Sequence, residues 1–191
     1  MIVYEVLKDA KGFLLLILFR VKWIMLFGFL FFLLFCLLQK IDSWKKHKSV
    51  MTTMIYNITL SLNISFVFVM TLFGRTITET KRLVLNPFAS YFYVLETGNS
   101  EILLQIIMNI VMYIPLGCLL PYSCRLFDKK RNVVLMAMAS SSVIEFIQYV
   151  CGIGLFEIDD ILNNTFGAII GVLVYVLCNI VRHRKDGNYI R

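Results

Sequence analysis

Residues 102–124 read ILLQIIMNIVMYIPLGCLLPYSC, 23 residues without a charge between Glu101 and Arg125. A helix needs about 20 apolar residues to cross the ~30 Å of bilayer hydrocarbon, so this stretch alone puts the chain in a membrane. Two more charge-free gaps, Lys48 to Arg75 and Asp160 to Arg182, hold 26 and 21 residues. Residues 132–151 make a fourth span, interrupted only by Glu145, and Trp23–Leu38 a shorter fifth. The whole 191-residue chain is 59% hydrophobic and 16% charged, with a mean hydropathy of +0.79. A soluble fold of this size cannot cover so much apolar surface, and disorder requires the opposite composition. The expected class is all-α, a polytopic helix bundle of about five transmembrane helices in the lipid bilayer.

Residues 2–19 read differently. Val3, Val6, Leu7, Ala10, Leu14 and Ile17 recur at helical spacing opposite Glu5, Lys8 and Asp9, the pattern of an amphipathic helix lying in the membrane interface. The expected organisation is an amphipathic segment and first span over 1–49, a four-helix core over 50–181, and a basic tail over 182–191.

The formal charge of +7 marks orientation rather than a nucleic-acid partner. Basic residues cluster at Lys40–Lys48, at Arg125–Arg131 and at Arg182–Arg191, which together hold 12 of the 19. Cationic loops stay in the cytoplasm, so the C-terminus is expected there and the loop 74–101 outside. The same alternation puts Lys8, Lys11, Arg20 and Lys22 outside, which the rule disfavours. The five cysteines form no CxxC pair, and His47 and His183 both sit in basic stretches. Neither a metal centre nor a His-based active site is signalled.

Polar groups inside spans are costly and therefore informative. Counted from the basic end at ~1.5 Å per residue, Asn109, Glu145, Gln148 and Asn164 lie ~21–27 Å deep and Asp160 ~33 Å. Amides and carboxylates from three spans thus share the outer half of the bilayer. Glu145 and Gln148, three apart, share a helix face, as do Asp160, Asn164 and Gly167. Gly167 and Gly171 form a GxxxG that admits a neighbouring helix closely, and Pro115 frees the carbonyl of Val111 and bends its helix. These features point to an outward-facing polar pocket. Glu157 and Asp159 read as a solvated turn. Leu85-Asn86-Pro87-Phe88 reads as an extended turn, followed by an aromatic interfacial run through Tyr93.

Asn86-Pro87-Phe88, Asn109-x5-Pro115-x-Gly117, Glu145-x2-Gln148 and Asp160-x3-Asn164-Thr165-x-Gly167-x3-Gly171 together resemble the VanZ-like family of bacterial membrane proteins. The resemblance covers about residues 50–181. This chain departs from many members in having no Arg in the turn 151–155. The family's name-giving member is associated with resistance to teicoplanin, a lipid-bearing glycopeptide. The resemblance therefore implies a cell-envelope protein whose pocket binds a lipoglycopeptide or a lipid-linked cell-wall precursor. Asn109, Glu145, Gln148, Asp160, Asn164, Asn86 and Phe88 are the binding candidates, with Pro87, Pro115, Gly117, Gly167 and Gly171 shaping the site. No cofactor is expected. The alternative is an enzyme acting on a lipid-linked headgroup, with Glu145 and Asp160 as the acid–base pair or as oxygen ligands for Mg, Mn or Ca. The lack of Lys, Arg and His among these candidates counts against phosphate chemistry.

Overall fold

A computed structural model describes residues 2–38, 50–73, 82–123 and 125–185. Its helices are α1 (Ile2–Leu38), α2 (Val50–Thr71), α3 (Ala89–Thr97), α4 (Ser100–Ser123), α5 (Lys130–Cys151) and α6 (Ile158–Lys185), with a 3-10 turn at Arg125–Asp128. Two short strands, β1 (Leu83–Val84) and β2 (Phe156–Glu157), pair in parallel, with Leu83 opposite Phe156 and Val84 opposite Glu157. Five stretches are long and apolar enough to cross a membrane: Phe19–Leu37, Met54–Thr71, Ser100–Ser123, Lys130–Cys151 and Ile158–Arg182. The protein is a multi-pass, all-helical membrane protein.

One element differs from its expectation. The amphipathic segment and the first span are a single 37-residue helix, with no proline anywhere along it to stop or kink it. At ~1.5 Å per residue this helix is ~55 Å long, well beyond the hydrocarbon thickness, so only its second half is of span character. Pro115 and Pro121 likewise leave α4 one continuous helix.

Contacts fix the helix directions. Trp23 and Phe27 of α1 meet Phe73 and Phe68, with ring centroids 4.5 and 4.9 Å apart, so α1 and α2 are antiparallel. Asn63 Nδ2 donates to the Met112 carbonyl at 3.3 Å and Tyr56 stacks on Tyr122, setting α2 antiparallel to α4. Helices α4 and α6 run parallel and touch through backbone: a Cβ on Gly167 would lie 2.1 Å from the Ile110 carbonyl oxygen, and one on Gly171 2.1 Å from that of Ile114. A Cβ on Gly117 would meet the Ala168 carbonyl at 2.2 Å. Lipid offers no hydrophobic drive between helices, so close backbone packing supplies much of the association.

The bundle has two unlike ends. One carries the 3-10 turn with Arg125, Lys129, Lys130 and Arg131, and there the Lys130 ammonium sits 4.1 Å from the Tyr175 ring centroid, within cation–π range. The other carries α3 and the β1–β2 pair, and the polar residues gather beneath it.

Candidate functional site

Glu145, one and a half turns before the end of α5, is 2% exposed, and its Oε2 accepts the Glu157 backbone N–H at 3.0 Å. Gln148, one turn on, donates Nε2 to the Thr71 carbonyl at 2.9 Å. That carbonyl belongs to the last residue of α2, one of the four that have no partner within their own helix, so Gln148 closes the end of α2. Asn164 of α6 donates Nδ2 to Ser141 Oγ at 2.8 Å. Tyr113 of α4, almost fully buried, has its hydroxyl 3.4 Å from Ser140 Oγ. Gln148, Asn164 and Tyr113 therefore tie α2, α6 and α4 to α5, and Glu145 ties α5 to β2, so that four spans share polar contacts at this end.

The turn before α3 is held from α6. Phe88 takes φ 65°, the left-handed region that a bulky L residue rarely adopts. Both oxygens of Asp159 fix it, Oδ1 accepting the Phe88 N–H at 2.6 Å and Oδ2 the Ser90 N–H at 2.8 Å. Asp159 thereby caps the start of α3 from another element, satisfying donors that the helix cannot. Asp159 is 1% exposed, so its expected place in a solvated turn is corrected: the carboxylate points inward because two backbone N–H groups await it. The Tyr91 hydroxyl of α3 donates to Asn163 Oδ1. Burial first, and then the Asp159 charge, raise the Tyr91 phenol above its ordinary value of 10.0.

Among the described residues four buried amide atoms have no hydrogen-bond partner: Asn63 Oδ1 on α2, and Asn109 Nδ2, Asn163 Nδ2 and Asn164 Oδ1 on the α4–α6 pair. Asn109 adjoins Ile110, the residue against Gly167, and Asn163 and Asn164 lie one turn before that glycine. Two donors and one acceptor are thus left unused near the α3 end of the α4–α6 seam. Buried groups of this kind cost about 1–3 kcal/mol each when unmet.

The remaining candidates fall around this centre. Asp160 is half-buried in the first turn of α6, whereas Asn86, Pro87 and Phe88 are exposed in the turn before α3. Gly117, Gly167 and Gly171 form the α4–α6 contact, and Pro115 is exposed on α4. Asn163 and Asp159, the latter read as part of a solvated turn, are not among the sequence candidates, and neither is Tyr113. Only the Asp159–Asn163–Gly167 spacing, i, i+4 and i+8, could have signalled the first two. Arg20 also changes the picture. Antiparallel α1 brings it to the end of α2 next to the α3 end, where Nη1 lies 3.3 Å from Met70 Sδ. Among the described residues, no group of three or more His, Cys, Asp or Glu is placed to hold a metal ion.

The fold and this cluster define the class: a multi-pass helical membrane protein with a buried polar network at one end of its bundle. The chain belongs to the VanZ/LLP1 family, whose model matches residues 50–179. Protein VanZ of Enterococcus faecium is 32% identical over 107 residues, 55% of this chain, which spans only 59% of that protein's length. No solved structure matches the chain.

Proposed function

We propose that the protein contributes to teicoplanin or related lipoglycopeptide resistance by binding the drug, or an envelope lipid the drug engages, at the α3 end. The observation that carries this reading is the set of unused amide atoms on Asn109, Asn163 and Asn164. Neutral donors and an acceptor in an apolar setting suit the hydroxyl and amide groups of sugars and peptides, and the surrounding spans suit a lipid tail. The α3 end faces outward in this reading, with the C-terminus in the cytoplasm. The basic residues of the opposite end, Arg125, Lys129, Lys130 and Arg131, support that orientation. Family membership supports the envelope setting.

The test is teicoplanin susceptibility of a sensitive host expressing Asn109→Ala, Asn164→Ala or Glu145→Gln at equal membrane levels. Loss of protection in the Asn variants is the expected result. Full protection by all three would sink the reading. Turnover of a lipid-linked precursor by the purified protein, abolished by Glu145→Gln, would replace it with the enzymatic alternative.

A further inference from the structure

Arg20 sits in the first turn of the apolar stretch Phe19–Leu37, half-buried against the end of α2. A guanidinium offers five N–H donors and cannot discharge itself by losing a proton. Its partner among the described residues is the Met70 thioether, 3.3 Å away, a weak acceptor. One turn further on, and on the same face, the Trp23 indole N–H is buried without any partner. Phe19, Phe27 and Phe73 ring the pair, with Trp23 and Phe73 centroids 4.5 Å apart. Among the described residues the site therefore holds donors and positive charge with a thioether as acceptor, in apolar surroundings that make an uncompensated cation costly.

We propose that Arg20 and Trp23 form a binding site for the phosphate of a membrane lipid headgroup. Charge complementarity selects an oxyanion, and the planar fork of arginine matches phosphate in two parallel hydrogen bonds. The surroundings select a lipid over a free anion. Deeper along the same two helices runs an apolar groove of about 280 Å³ lined by Met25, Gly28, Phe29, Phe32, Ile58 and Leu62, a bed for an acyl chain. The site borders the polar network: Met70 precedes Thr71, whose carbonyl receives Gln148. A lipid held there presents its headgroup beside that network. This deepens the preceding reading by naming the charge of the envelope lipid, and it rests on that reading only for what the bound lipid then does.

A generic interfacial arginine reaches for headgroups without forming a site, and Lys22, exposed two residues away, gives the control. The full chain carrying Trp44→Phe, purified in detergent, leaves Trp23 as the only tryptophan. Dioctanoyl phosphatidic acid should change its emission saturably, whereas dioctanoylglycerol should not. Arg20→Met should weaken that binding at least tenfold, about 1.4 kcal/mol, Arg20→Lys less, and Lys22→Met less than twofold. The melting temperature of Arg20→Met should be no lower than the parent's, since a thioether contact and a costly cation are lost together. Equal weakening by Arg20→Met and Lys22→Met would overturn the site in favour of diffuse charge attraction. Saturation by inorganic phosphate at comparable concentration, or an equal response to dioctanoylglycerol, would overturn the lipid assignment. Headgroup binding is read by this titration and drug protection by host susceptibility, so failure of the site and failure of the preceding reading are seen separately.

Discussion

Replacing Gly167 by Ala tests the α4–α6 seam directly. The new Cβ would sit 2.1 Å from the Ile110 carbonyl oxygen, against the 3.4 Å at which ordinary contact begins, a shortfall of about 1.3 Å. The obstacle is backbone, so no rotamer change relieves it and the two helices must part. Overpacking costs about 1–3 kcal/mol where side chains can adjust, and a rigid obstacle puts this substitution in the upper half, about 2–3 kcal/mol. At about 2–4 °C per kcal/mol for a chain of this length, the melting temperature in detergent should fall by roughly 4–12 °C. Gly28→Ala is the matched control. Its Cβ meets Leu62 Cδ2 at 2.9 Å, the far end of a flexible side chain, and the cost should stay below about 1 kcal/mol. Equal melting temperatures for the two variants, followed by near-UV circular dichroism, would refute the backbone contact.

Other outcomes follow from the α3 clasp. Asp159→Asn keeps one acceptor oxygen where two N–H groups need one each, so one bond is lost, about 1–3 kcal/mol. Amide exchange at Phe88 and Ser90 should quicken roughly 5- to 150-fold by that figure, while the core of α4 stays protected. Tyr91 has its folded-state pKa raised above 10.0, so its contribution is fully present below that value and fades as pH rises through the higher folded value. Docking of α3, read by proteolysis of the 86–98 segment, should therefore weaken only above pH 10, and Tyr91→Phe should remove that alkaline step. If the step survives in Tyr91→Phe, the phenol is not its source.

How much of this was legible beforehand depended on the range of the interaction. Charge-free gaps locate spans because hydrocarbon rejects charge one residue at a time; the three gaps correspond to α2, α4 and α6, and the run 132–151, broken only by Glu145, to α5. The GxxxG at Gly167 and Gly171 likewise announced a close approach, though not that α4 would be the partner. Asp159 was misread because a carboxylate beside a turn is ordinarily solvated; only the left-handed Phe88, 71 residues away, gives it a buried role. Gln148 looked like a ligand-binding amide, and the structure gives it the end of α2 to close. Arg20 was invisible as a site residue because depth counted along separate spans says nothing of which helices touch.

The glycine seam also decides where the molecule can give way. Carbonyls packed onto glycine Cα atoms have no side chains between them to re-pack, so α4 and α6 move as one body or not at all. Asn109 and Asn164 ride on that body. Helix α3 is tied to that body by hydrogen bonds at Asp159 and Asn163 instead, contacts that water can exchange where a backbone seam cannot.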